Sequence, residues 1–83
     1  MSPERPASDR PTLATLHVGG TLRVSDVDPA HAEELLREGL RPGAVVRVAS
    51  RTPLGGPVIV VVGRSRIALS ADVATAVRGE PPA

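Results

Sequence analysis

Residues 51–70 read RTPLGGPVIVVVGRSRIALS. The five consecutive β-branched residues from Val58 to Val62 are too few for a helix. They suit a strand, where branched side chains pack well on a pleated surface. Pro53, Gly55, Gly56 and Pro57 punctuate the run on one side and Gly63 on the other. Glycine supplies the positive φ of a tight turn, and proline stiffens its approach and exit. The stretch Gly63-Arg64-Ser65 is short enough for a hairpin into a further strand, RIALS, with Ile67 and Leu69 inward. Within VIVVV, side chains alternate: Val58, Val60 and Val62 share one side, Ile59 and Val61 the other.

Working back from this stretch, RPGAVVRVASR places a strand before it, after a Pro42-Gly43 turn, with Val46 and Val48 alternating against Val45, Arg47 and Ala49. DPAHAEELLREGL predicts the one full helix. Asp28 caps its N-terminus and Pro29 occupies the first helical position. Glu33 and Glu34 come early and Arg37 late, as the helix dipole prefers. Ala32, Leu35 and Leu36 are expected to form one apolar stripe. Gly39 fits the left-handed position after the helix, with Leu40 folding back on Leu35. TLRVSDV, where Leu22 and Val24 alternate with polar residues, predicts the first strand. Before it, Leu13 and Leu16 suggest one helical turn, stopped at Gly19-Gly20. After RIALS, ADVATAV predicts a second helical turn and a last short strand into Arg78.

About five short strands with hairpin connections are too few for a two-layer sandwich and suit a small barrel, mainly β, with one helix between the first two strands. Residues 1–11 and 80–83, rich in proline and charge, are expected to be disordered tails around a single folded domain at 12–79. A domain this size buries a small core.

Composition excludes several functions. The net charge is +1, too balanced for affinity built on neutralising many phosphates. Aromatic content is 0%, which removes the stacking platforms of single-strand nucleic-acid binders and the grooves that read Pro-rich peptides. There is no cysteine for a disulfide, a thiolate metal site or a thiol nucleophile. No stretch is long and apolar enough to span a bilayer, and MSPERPASDRP does not read as a signal peptide, so direct membrane insertion is not expected and a cytoplasmic location is.

Gly55-Gly56 lacks the lysine and following helix of a phosphate-binding loop, so it reads as a turn. His17, Asp28, His31 and Glu34 are the candidate metal ligands. His31 sits where the helix dipole disfavours a cation, and no metal or cofactor is assigned. No nucleophile elbow or paired-carboxylate pattern marks an enzyme. The remaining candidate is a binding surface comprising Arg51, Leu54, Gly55, Gly56, Val58, Val60 and Val62. Either the rest of the chain covers the outward side of VIVVV, or that side and Leu54 form an apolar patch for a partner or a second copy.

LATLHVGG, LLREGLRPG, RTPLGGP and GRSRIAL, in this order and at these spacings, resemble the FeoA family of small bacterial proteins. Glu34, Glu38 and Ser70 depart from the family pattern, in which arginine often stands at the places of Glu34 and Ser70. The resemblance implies an SH3-like barrel. It also implies a non-catalytic role beside FeoB, a membrane transporter with a cytoplasmic GTPase domain. The same domain occurs in metal-dependent repressors similar to the diphtheria-toxin repressor. That implies the alternative of a regulatory module that binds a transition metal ion or a DNA-binding partner.

Overall fold

The computed structural model describes residues 11–82 of the chain. Most of the first expected tail, residues 1–10, lies outside them. In chain order the elements are β1 (Thr21–Val27), α1 (Pro29–Arg37), β2 (Val45–Arg51), β3 (Val58–Val62), β4 (Ser65–Leu69), α2 (Ala71–Thr75) and β5 (Val77–Glu80). The strands form one antiparallel sheet in the order β4-β3-β2-β1-β5. It curls around a core that includes Leu22, Val24, Val46, Val48, Val60 and Val77.

The helix ends are set by local chemistry. Asp28 Oδ1 accepts the Ala30 N–H at 2.9 Å, and Pro29 opens α1. At the other end Leu40 N–H donates to Leu35 at 2.9 Å and Gly39 N–H to Leu36 at 3.0 Å, with Gly39 at φ +90°. This is the expected Schellman closure. It folds Leu40 back, and both Leu35 and Leu40 are 1% exposed. Leu36 departs from the expected apolar stripe: it is 55% exposed, and Leu35 is the residue of α1 that the core buries.

Three local expectations change. Residues 13–15 form a turn. Thr12 Oγ1 accepts the Ala14 N–H and the Thr12 carbonyl accepts the Thr15 N–H, each at 3.1 Å. That geometry drives Leu13 fully into the core. Ser70 leaves β4 and caps α2, its hydroxyl accepting the Val73 N–H at 3.3 Å. β5 runs through Glu80, one residue into the expected C-terminal tail. The Pro11 carbonyl, at the edge of the expected N-terminal tail, accepts the Gly79 N–H at 3.1 Å. Residues 11–13 therefore cover the outer edge of β5, aided by the bridge between Thr12 and Arg78.

Two bulges set which way the strands face. In β1 the register shifts between Val24 and Asp26; in β2 it shifts between Val48 and Ser50. Each inserts one residue, Ser25 or Ala49, and reverses the alternation beyond it. In β1 the reversal turns Val27 toward the core and Asp26 outward onto Arg78. The Arg78 guanidinium donates to Asp26 Oδ2 at 2.7 and 3.1 Å. That hydrogen bond, with the carboxylate's charge, raises the pKa of Arg78. Opposite Val24, Gly79 lets β5 approach so closely that a Cβ there would collide with the Arg23 carbonyl.

Candidate partner-binding surface

The β2–β3 connection, residues 52–57, is closed by Thr52 N–H donating to Pro57 at 3.1 Å. At its tip Leu54 and Gly55 both take positive φ, +64° and +77°. Gly55 does so without cost, but leucine meets its own Cβ clash there. The Leu54 side chain is fully solvent-exposed. Gly56 is needed for another reason: a Cβ would stand 2.5 Å from Thr52 Cγ2. The loop is thus folded tightly around glycine while presenting a leucine to water.

Arg51 is at the surface but already has partners. Its Nε and Nη2 donate to the Leu16 carbonyl at 3.1 and 2.7 Å, and Nη2 also reaches the Leu13 carbonyl at 3.0 Å. The bulge at Ala49 explains this. Arg51 pairs with Val58, which is 3% exposed, so it sits on the core side of the sheet end. There it ties down the 13–16 turn. These bonds give the exposed Arg51 side chain a structural role at this end of the sheet.

For Val58 and Val60 burial corrects the expectation of partner contact. They are 3% and 0% exposed, inside the curl of the sheet and out of reach of a partner. Val62 is half-buried and packed against the core. It also lines an open groove of about 710 Å³ with Arg41, Gly43, Val45 and Gly63. The side of β3 turned to solvent carries Ile59 and Val61, both half-buried. Val61 lies between Arg47 on β2 and Arg66 on β4. Sequence reasoning overlooked these flanking arginines, although the strand alternation pointed to them. At the far end of β3, the Gly63-Arg64 turn has positive φ at Gly63, the φ pattern of a type II′ hairpin turn.

The candidate metal ligands do not converge. His17 is exposed and His31 half-buried. Among the described residues no group of three or more His, Cys, Asp or Glu side chains is placed to hold a metal ion. No helix among them is long and apolar enough to cross a membrane.

Comparison with known proteins sets this surface in context. A crystal structure of the iron uptake regulatory protein FeoA is 30% identical over 86% of this chain and 94% of its own, with a TM-score of 0.75. Stenotrophomonas maltophilia FeoA in complex with zinc, described as a prokaryotic SH3 domain protein, is 31% identical over 83% of this chain and 88% of its own, with a TM-score of 0.73. A manganese-dependent transcriptional repressor superposes with a TM-score of 0.78 over 93% of this chain and 44% of its own. At 20% identity, that likeness shows the fold alone. No curated protein sequence matches. The FeoA domain matches residues 12–81, which contain every strand and both helices. The chain belongs to the FeoA family and has its SH3-like fold.

Proposed function

We propose that this chain is a small cytoplasmic, non-catalytic accessory protein of bacterial ferrous iron uptake. In this reading it docks on a FeoB-type GTPase-coupled transporter. Its effect comes from binding one state of the transporter more tightly than another, since a ligand shifts a conformational equilibrium only by its differential affinity. The observation that carries the reading is the FeoA domain match over residues 12–81. The names of the similar structures support it: one is an iron uptake regulatory protein, and the Stenotrophomonas protein is put forward as a ferrous iron transport activating factor.

The docking surface proposed is the 52–57 turn with Leu54 at its tip, continued by Ile59 and Val61 on the outer side of β3. Leu54 is the apolar anchor, because a bulky side chain held at positive φ in full solvent contributes nothing to the core. The test is a titration of the labelled protein against a FeoB-type transporter in lipid nanodiscs, with GDP and with a GTP analogue. Saturable binding that differs between nucleotides is expected. No binding in either state overturns the reading.

A further inference from the structure

The net charge of +1 hides a sharp segregation of charge. No aspartate or glutamate occurs between Glu38 and Asp72, whereas five arginines do. That stretch supplies all of β2, β3 and β4. The acidic residues of the described chain lie instead on β1, α1, α2, β5 and their flanks. Two of the five arginines, Arg47 and Arg66, stand on either side of Val61 across the outer face. Strand spacing separates their Cα atoms by about 10 Å. Both are exposed, and among the described residues neither forms an ion pair or a side-chain hydrogen bond. Val45, 47% exposed, precedes Arg47 on the same face.

We propose that this outer face of β2–β3–β4 receives an acidic segment of a partner protein, with carboxylates on Arg47 and Arg66 and an apolar side chain between them on Val61. The inference rests on the docking reading above and names the chemistry of the contacted surface. Arginine, fixed in charge and forked, pairs with carboxylates in two-pronged geometry. A face that interleaves arginine with valine and isoleucine, with no lysine or acid, has the composition of a protein interface. Nucleic acid would call for stacking aromatics or a denser row of cations. An anionic membrane would call for a larger basic cluster.

Fluorescence anisotropy tests this with four probes: a labelled peptide of alternating glutamate and valine, phosphatidylglycerol vesicles, duplex DNA, and the FeoB-type transporter in nanodiscs. The peptide and the transporter are expected to bind, more weakly as salt rises. Arg47→Glu and Arg66→Glu should each weaken both about fivefold. Arg37→Glu, the same charge change on α1, should leave both unchanged. Arg47→Gln and Arg66→Gln provide milder variants should either reversal disturb the fold by circular dichroism. Transporter binding that survives the Arg47 and Arg66 variants overturns this inference and leaves the docking reading standing. Arginine-dependent peptide binding without transporter binding does the reverse. Tighter arginine-dependent binding to vesicles or DNA than to the peptide overturns the inference. So does an equal loss in Arg37→Glu, or a dimer that dissociates in the Arg66 variant.

Discussion

Val60 and Val61 are chain neighbours of the same residue type on one strand, and the fold gives them opposite roles. Val60 has 0% of its surface exposed and packs against the inner residues of β1 and β2. Val61 faces outward between two arginines. In a strand the side of the sheet is decided by parity, so a shift of one residue exchanges core for surface. This chain uses that rule twice. The bulge at Ala49 sends Arg51 to the core side, where it binds carbonyls, and the bulge at Ser25 sends Asp26 outward to Arg78. What a residue does here depends less on its type than on which side of a bulge it falls.

The contrast breaks most severely if charge is placed on the wrong member of the pair. Val60→Asp buries an unpaired carboxylate and should cost more than about 4 kcal/mol, most of a small domain's stability. Val61→Asp should change stability by less than about 1 kcal/mol. Thermal unfolding followed by circular dichroism checks both. Deleting Ala49 comes next. It removes the bulge and its local twist while leaving Ser50 opposite Ile59 and Arg51 opposite Val58, and should cost about 2 kcal/mol in denaturant titration. Arg51→Ala leaves parity intact but removes the bonds to Leu13 and Leu16; a loss of about 1.5 kcal/mol is expected. Arg51→Lys should recover less than half of it, because an ammonium group lacks the fork that spans two carbonyls. The smallest change has the opposite sign. Leu54→Gly relieves the positive-φ strain and should stabilise the chain by about 0.5–1 kcal/mol while weakening transporter binding.

Much of this was legible from residue patterns. The strands, the capped helix and its Schellman end follow from alternation, Asp28-Pro29 and Gly39. The sequence reading failed where alternation breaks. In TLRVSDV the apolar period runs Leu22, Val24 and then meets Asp26; in VVRVASR it runs Val46, Val48 and then meets Ser50. A polar residue at the next inward place is the trace a bulge leaves, and it marks both sites here. Read that way, Arg51 would have been placed on the core side. Choosing between the two faces of VIVVV was harder. Both faces are apolar, and which one fills the core depends on pairing with β2, a contact between segments that neither segment encodes alone. The arginine flanks of Val61 likewise exist only once three strands are in register.

The central claim is that the outer face of β3, and not its inner face, is the docking surface. The most direct test compares wild-type protein and Val61→Asp for binding to a FeoB-type transporter in nanodiscs, with circular dichroism verifying that both are folded. Saturable binding by the wild type and at least a tenfold loss in a fully folded Val61→Asp protein is the predicted result. Equal binding by the two folded proteins would contradict it.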